Sequence, residues 1–295
     1  MFPKVPDQHK PNKPLVPNGL GVIYVLASAA YLFLLYTFGS AEIEPYNNVS
    51  PALTLAVCIL FGGFMGLLDD WMDLRWRYKA FFPLIAAIPL VSFAMRLELR
   101  TAIAIPFFGS IDFGLAYYFL IIPLIVTVTT NTINQLGGLN GLETVCPAIV
   151  MAGLAIASFF VADSNAVLLC APLVVLILLA FFNFEGKIFV GNTGSFAIGL
   201  TLAAFAIISD LKYALVISLL PYILNSSLIL LTYFIFRAKA QVSFDGEKLS
   251  SNHKRSLVTI ITYNHPLTER QVVAIIALLI AASTTLGLLA QLTLF

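Results

Sequence analysis

The chain has 295 residues, of which 60% are hydrophobic and only 11% are charged, and its net charge is +1. Soluble domains carry roughly a quarter charged residues, so this composition excludes an ordinary soluble domain and requires burial in lipid. The near-zero net charge also excludes the basic field that nucleic-acid binding needs, and we expect no nucleic-acid partner.

Apolar segments about long enough to cross a bilayer recur along the whole chain. They predict an all-α integral membrane protein with about nine transmembrane helices, in which residues 1–295 form a single polytopic membrane domain. Two of the predicted spans, 80–95 and 194–209, are short for a full crossing. The predicted spans are 19–38, 49–68, 80–95, 113–130, 142–162, 165–183, 194–209, 212–236 and 271–295.

Three segments outside the spans have their own patterns. Residues 1–18 are rich in Pro and Lys and lack a signal-peptide apolar region, which predicts an extended arm on the solvent side. Residues 96–112 alternate and contain the sequence Phe108-Gly109-Ser110, which predicts a small outer β-hairpin. Residues 237–270 form the largest loop.

The basic residues fix the orientation. If the arm is cytoplasmic, then of the 16 Lys and Arg residues all except Arg96, Arg100 and Lys212 lie on the inner side. This bias predicts a multi-pass protein with its N-terminus inside. Four polar clusters then fall on the same cytoplasmic face, and this clustering is the functional signal.

The first cluster is GLLDDWMDLRWRYK at 66–79. Asp69 and Asp70 end an apolar helix, and Asp73 is predicted one turn beyond Asp69 on the same face. Carboxylates this close repel one another unless a cation offsets them, and Mg²⁺ is the natural candidate, with Mn²⁺ as the alternative. A solvated helix end, neutralised by the basic residues that follow, is the other reading of this cluster.

The second cluster is NTINQLGGLNGLE at 131–143. Asn131 and Asn134 are at helical spacing, and Gly138 and its neighbouring glycines allow backbone N–H groups to approach a ligand closely. Asn140 and Glu143 add polar groups that suit a base or a sugar. The bare pattern is equally that of a helix cap followed by a loop.

The third and fourth clusters point to phosphate binding. GKIFVGNTGSF at 186–196 makes a tight turn into a helix whose N-terminus could hold a phosphate, although many helices begin in this way. The large inner loop carries His253, Lys254 and Arg255, which suit diphosphate capture. An ordinary positive-inside loop would carry such residues too.

The motifs DDWMDLRWRYK, NTINQLGGLNGLE and IFVGNTGSF make the chain resemble the polyprenyl-phosphate N-acetylhexosamine-1-phosphate transferases. The likeness is strongest to the eukaryotic and archaeal UDP-GlcNAc:dolichyl-phosphate branch. The resemblance implies a ten-helix fold from which this sequence lacks the first helix. It implies Mg²⁺-dependent transfer of GlcNAc-1-phosphate from UDP-GlcNAc to a polyprenyl or dolichyl phosphate, with release of UMP. Family members often pair, which implies a homodimer, although no interface signal is visible in the sequence.

The resemblance also implies roles for individual residues. Asp69 and Asp70 would lie beside the metal and the lipid phosphate, and Lys79 would hold phosphate. Asp70, Asn134 and Asn192 would provide the metal site. The residues implied in substrate binding are Asn131, Asn134, Gly138, Asn140, Glu143, His253 and Arg255.

One position departs from the family pattern. The third motif usually contains an Asp that binds Mg²⁺ directly, and this chain has Asn192. A neutral amide oxygen coordinates Mg²⁺ more weakly than a carboxylate. The alternative function is therefore a weakly active or inactive member that binds lipid phosphate or nucleotide sugar. The expected location of the site is the cytoplasmic face, of the cell membrane in an archaeon or of the endoplasmic reticulum in a eukaryote.

Overall fold

A computed structural model describes residues 2–38, 49–105, 109–161, 164–235 and 237–294 of the chain. Helices dominate it, and the sheets are three short two-stranded antiparallel pairs. The helices are α1 Gly21–Phe38, α2 Pro51–Met72, α3 Trp76–Ala86, α4 Ile88–Arg96, α5 Ile122–Leu136, α6 Val145–Phe160, α7 Cys170–Phe184, α8 Gly191–Ile208, α9 Lys212–Ser218, α10 Leu220–Phe234, α11 Leu257–Ile261 and α12 Glu269–Leu294. The strands are β1 Lys4–Pro6, β2 Leu15–Pro17, β3 Ala102–Ile105, β4 Gly109–Asp112, β5 Ser243–Phe244 and β6 Leu249–Ser250.

The described residues contain seven helical segments long and apolar enough to cross a membrane, or eight if a bent pair is one span. That pair is α9 and α10, which meet at 52°. The predicted span 142–162 corresponds to α6, which has 16 residues and is shorter than the others. The all-α membrane fold predicted from composition is therefore confirmed.

Proline explains why two predicted spans are broken. The span predicted at 80–95 begins earlier, at Trp76, and its helix is interrupted at Ala87 between α3 and α4. The span predicted at 212–236 breaks at Leu219. Pro89 and Pro221 stand at the first turns of α4 and α10, where their missing N–H groups remove no helical hydrogen bond.

Helix α8 lies at the centre of the bundle, and every residue from Thr193 to Ile208 is buried. It packs chiefly against α2 and α5. Glycines allow this close approach: a Cβ added at Gly66 would lie 2.1 Å from the Asn192 carbonyl oxygen, and one added at Gly21 would lie 2.2 Å from the Gly194 Cα. The predicted span 194–209 is short because this helix is enclosed by protein and begins earlier, at Gly191.

Large apolar side chains on the outer helix faces are exposed, as lipid contact requires. Leu26, Phe64 and Leu278 are each more than half exposed. The outer hairpin is confirmed, since β3 pairs with β4 from Ala102↔Asp112 to Ile105↔Gly109. The predicted turn residue Phe108 lies outside the described residues.

The predicted solvent-side arm folds back on itself as a short two-stranded hairpin. Strands β1 and β2 pair antiparallel, and the end of β2 bonds to the segment before α8, where the Phe189 N–H donates to the Pro17 carbonyl oxygen at 2.8 Å. The Gly21 N–H likewise donates to the Val190 carbonyl oxygen at 2.9 Å. The arm therefore covers one end of the bundle, the end at which α2 and α5 finish and α8 and α12 begin.

Candidate active site

Asp70 caps the N-terminus of α8. Its Oδ1 accepts the Asn192 N–H at 2.9 Å, and its Oδ2 accepts the Thr193 N–H at 2.9 Å and the Thr193 hydroxyl at 2.7 Å. A carboxylate at this position satisfies free helix donors and complements the helix dipole. Gly191 is required beside it, because φ is +69° there and an added Cβ would lie 2.8 Å from Asp70 Oδ2. Asp70 thus joins the end of α2 to the start of α8.

Asp69 points elsewhere and has different partners. It is buried, its Oδ1 accepts the Leu74 N–H at 3.0 Å, and its Oδ2 lies 2.9 Å from Lys79 Nζ. The Lys79 side chain is 28% exposed, so its ammonium group remains open to a further anion. Asp73 does not join the pair as predicted: α2 ends at Met72, and Asp73 adopts a left-handed conformation with φ of 47°. The predicted cluster of carboxylates on one face is therefore a pair with two separate environments.

The three residues expected to hold a metal lie together. Asn134 Nδ2 donates to Asn192 Oδ1 and to Ser195 Oγ, both at 2.8 Å, and Asp70 accepts from the Asn192 backbone. Both of these Asn134 hydrogen bonds use Nδ2, so the side-chain oxygen Oδ1 of Asn134 takes no part in them. Amide and carboxylate oxygens are the hard ligands that Mg²⁺ accepts, so the donor set fits this ion. The set carries one formal negative charge, from Asp70.

Asn140 lies in the loop between α5 and α6 and is 4% exposed. Its Nδ2 donates to Asp7 Oδ2 at 2.8 Å and to both Glu269 carboxylate oxygens at 3.0 and 3.2 Å. Gly138 and Gly141 both have φ of +107°, a conformation that favours glycine. The loop is therefore fastened to the arm and to the start of α12.

Glu143 lies across Gly137 at the end of this loop, and a Cβ added at Gly137 would meet Glu143 Oε1 at 2.5 Å. Burial raises the pKa of Glu143 to about 7, the Gly138 N–H opposes this rise, and the negative charge of Asp70 adds to it. Near neutral pH this carboxyl group is therefore protonated in a large fraction of molecules.

A cavity of about 420 Å³ opens beside the loop, between the arm, α10 and the segment 240–258. Its lining combines polar and apolar side chains and, among the described residues, includes no Lys, Arg, Asp or Glu; its polar members include Gln8, His9, Gln135 and Asn225. The Gln135 Oε1 atom is buried and has no hydrogen-bond partner among the described residues. A neutral ligand with hydroxyl and amide groups suits such a lining.

Two predicted groups lie apart. His253 and Arg255 line a separate cavity of about 250 Å³ against α10, and the Arg255 N–H donates locally to Thr259 Oγ1 at 2.8 Å. Asn131 Nδ2 donates at 2.9 Å to the Thr127 carbonyl oxygen within α5. Within the described residues, no hydrogen bond or ion pair joins these groups to Asp70 or Asn192.

The sequence interpretation missed several residues of this region. Asn183, 1% exposed, accepts from the Gly141 N–H at 2.8 Å and donates to the Ile188 carbonyl oxygen at 2.9 Å, so it ties the Gly/Asn loop to the segment before α8. Its signal was an amide near the end of an apolar run. Asp7 and Glu269 carried no signal, since each looks like an isolated solvated charge in the sequence.

Comparisons with known proteins identify a family and several relatives. The sequence profile of "Glycosyl transferase family 4" matches residues 52–210. A Saccharolobus solfataricus protein, provisionally named UDP-N-acetylglucosamine–dolichyl-phosphate N-acetylglucosaminephosphotransferase, is 32% identical over 92% of this chain and 82% of its own length. A Sulfolobus acidocaldarius protein with the same provisional name is 31% identical over 80% of this chain and 69% of its own. The Saccharomyces cerevisiae enzyme of that name is 29% identical over 74% of this chain and 58% of its own.

Proposed function

The chain belongs to glycosyl transferase family 4, and we propose that it transfers GlcNAc-1-phosphate from UDP-GlcNAc to a polyprenyl phosphate such as dolichyl phosphate, releasing UMP. One observation carries the proposal. Asp70, Asn134 and Asn192, which are far apart in the sequence, are joined by hydrogen bonds at one end of the bundle. The relatives' names supply the two substrates.

The chemistry is phosphoryl transfer. An oxygen of the lipid phosphate attacks the phosphorus that bears GlcNAc, a new P–O bond forms, and the bond to the bridging oxygen breaks, so that UMP leaves with that oxygen. A lipid phosphate is already a competent nucleophile near neutral pH, so no covalent relay through an aspartate is needed. Lys79 is proposed to receive the lipid phosphate, and support comes from its side chain, which is partly exposed beside the buried Asp69.

Asp70, Asn134 and Asn192 are the residues that would hold Mg²⁺. A bound Mg²⁺ would neutralise charge on the donor diphosphate. Asp70 also keeps the α8 N-terminus in place beside this group. The neutral cavity beside the loop suits the uncharged parts of UDP-GlcNAc, and Asn140 is proposed to contact the nucleobase. His253 and Arg255, in their separate cavity, are proposed to hold the sugar diphosphate once donor binding brings the inner loop closer.

The proposed site faces the cytosol. Support comes from the basic residues, which are concentrated on the arm and the inner loops at the same end as Asp70. Lys212, one of the three outer exceptions, is 3% exposed and lies 2.7 Å from Asp210. A homodimer in the membrane is part of the proposal.

The alternative is a weakly active or inactive binder of lipid phosphate or nucleotide sugar, and Asn192 is the observation that favours it. UMP release should be measured in detergent with UDP-GlcNAc, Mg²⁺ and polyprenyl phosphate for the wild type, Asn192→Asp and Asn252→Asp. Asn252 is exposed on the inner loop and provides the matched amide-to-acid control.

We expect Mg²⁺-dependent UMP release from the wild type that requires the polyprenyl phosphate. No UMP from the wild type together with rapid release by Asn192→Asp would favour the binder instead. Full turnover by Asp70→Asn would show that Asp70 is wrongly assigned, because the amide can still cap α8 but lacks the charge.

A further inference from the structure

The Asn140 side chain is held by two carboxylates from opposite ends of the chain. Its NH₂ group donates to Asp7 at 2.8 Å and to Glu269 at 3.0 and 3.2 Å, and its backbone N–H also donates to Glu269 at 2.8 Å. Its Oδ1 atom is buried and has no hydrogen-bond partner within the part of the chain that the structure describes. All of the anchoring therefore acts on the donor half of the amide, and the acceptor half is left for something else.

The opposite orientation of the amide is strongly disfavoured. A rotation by 180° would place the carbonyl oxygen against two carboxylates, where it could neither donate nor avoid their charge. Asp7 is 2% exposed, so water could not offset that repulsion. The network therefore fixes the orientation of the Asn140 amide, and each of the two carboxylates adds to this preference.

Asp7, His9 and Glu269 also bring one ligand atom each within 4.8 Å of one another, the spacing of a metal site. Here, however, the two carboxylates already share the Asn140 NH₂ group, and Lys10 Nζ lies 3.8 Å from Asp7. These donors supply the positive partner that a metal would otherwise provide. We therefore interpret the cluster as a support for Asn140.

Asp7 and Glu269 sit on well-anchored elements. Asp7 follows β1, and its backbone N–H donates to the Pro14 carbonyl oxygen at 3.0 Å across the β1–β2 hairpin. Glu269 is the first residue of α12. Lys10 Nζ donates to the Glu185 carbonyl oxygen at 3.2 Å, which ties the arm to the end of α7. The support is built from three segments and does not depend on a single loop.

The neutral cavity borders this support on both sides. Gly138 and Leu139, which precede Asn140, line it, and so do Gln8 and His9, which follow Asp7. A ligand group that meets the Asn140 oxygen must be a hydrogen-bond donor. Uracil carries such a donor at its imide N–H, whereas cytosine has an acceptor at the equivalent ring position.

We propose that Asp7 and Glu269 are positioning residues that hold Asn140 in one orientation, so that its carbonyl oxygen selects a uracil nucleotide over a cytosine nucleotide. This inference rests on the proposed function, in which Asn140 contacts the nucleobase of the donor. It assigns a specificity role to two residues that touch neither the base nor the phosphates.

The test compares binding of UDP and CDP to the full-length protein in detergent with Mg²⁺, by isothermal titration calorimetry. The wild type should prefer UDP by at least about tenfold, the size of one good hydrogen-bond difference. Asp7→Asn combined with Glu269→Gln keeps the side-chain shapes but lets the amide turn, and the preference should fall to near unity. Each single variant should lower it partially.

Glu185→Gln is the matched control. Glu185 is a neighbouring carboxylate that pairs with Arg270 at 3.3 Å. Within the described residues, its carboxylate makes no hydrogen bond to the Asn140 side chain. The Glu185→Gln variant should prefer UDP over CDP as strongly as the wild type does. In UMP-release assays the double variant should have a raised KM for UDP-GlcNAc with little change in kcat. Glu269→Asp, which retains a carboxylate, should raise KM less than Glu269→Gln does.

Retention of the full UDP preference by folded single variants would overturn the proposal and leave the proposed function intact, provided that UMP release persists. Equal binding of UDP and CDP by the wild type would also overturn it. If the wild type binds neither nucleotide, both the inference and the proposed function fail. Thermal unfolding of each variant separates these outcomes from misfolding.

Discussion

The raised pKa of Glu143 makes the stability of the protein depend on pH in a defined direction. Its folded-state pKa is about 7, against an ordinary value of 4.5. Below pH 4.5 the carboxyl group is protonated in both the folded and the unfolded state, so it adds no pH dependence to the free energy of unfolding. As pH rises from 4.5 to 7 the unfolded chain loses its proton first, so stability falls across this window and the full penalty is present above pH 7.

The magnitude follows from the same two values. The difference between them corresponds to about 3 kcal/mol, at about 1.36 kcal/mol per pKa unit. This is an upper value, since the residue retains some solvent access. Replacing Glu143 by Gln removes the titration, and the Gln carbonyl oxygen can still accept the Gly138 N–H. We therefore expect the variant to exceed the wild type in stability by about 1 kcal/mol at pH 5 and by up to about 3 kcal/mol at pH 8.

The assay is thermal unfolding in detergent, followed by tryptophan fluorescence at pH 5, 6, 7 and 8, for the wild type and Glu143→Gln. Glu247→Gln, the same substitution at an exposed position of the inner loop, is the control and should change the unfolding stability by no more than about 0.5 kcal/mol. An advantage of Glu143→Gln that is absent, or that is equal at pH 5 and pH 8, would refute the reasoning, because it would mean that Glu143 is not buried as a neutral acid.

Three further predictions concern other anchors. Asp70→Ala should lower unfolding stability by about 1 kcal/mol through loss of the α8 cap, as measured by thermal unfolding, whereas Asp70→Asn should recover only part of this loss, because Asn has one acceptor oxygen where Asp70 uses two. Lys212→Met should destabilise the protein by about 2 kcal/mol, because it leaves Asp210 without its ion pair. UMP release per folded molecule should be unchanged, because the proposed site lies at the opposite end of the bundle. Gly186→Ala should destabilise by about 1–2 kcal/mol, because φ is +66° there and the new Cβ would lie 1.7 Å from Lys10 Nζ; an unchanged melting temperature would contradict this.

The helical membrane fold could be predicted because lipid imposes a simple rule on sequence. Apolar segments of sufficient length and the alternation of residues 96–112 depend only on local pattern. The interruptions at Ala87 and Leu219 also depend on local sequence, and Pro89 and Pro221 could have predicted them. The complete enclosure of α8 could not be predicted, because a helix surrounded by protein and one facing lipid have equally apolar sequences.

The partners of the site residues depended on tertiary structure. Asp69 and Asp70 are adjacent in sequence but lie about 100° apart around α2, so one meets Lys79 while the other meets the start of α8. The contact between Asn134 and Asn192 joins motifs that could be recognised separately, and their resemblance to a family correctly suggested that they meet. The contacts of Asp7 and Glu269 with Asn140 join positions that no local pattern connects.

The environment of Asn192 gives its amide a physical rationale. Asp70 already places a carboxylate on the α8 N-terminus, with Oδ1 2.9 Å from the Asn192 backbone nitrogen. A second carboxylate at position 192 would share the same helix end with Asp70, and only a cation or a donor could offset their repulsion. Asn192 instead accepts a hydrogen bond from Asn134 at 2.8 Å, which an uncharged oxygen can do without a cation present. An amide at position 192 therefore keeps this helix end electrostatically stable without a bound cation.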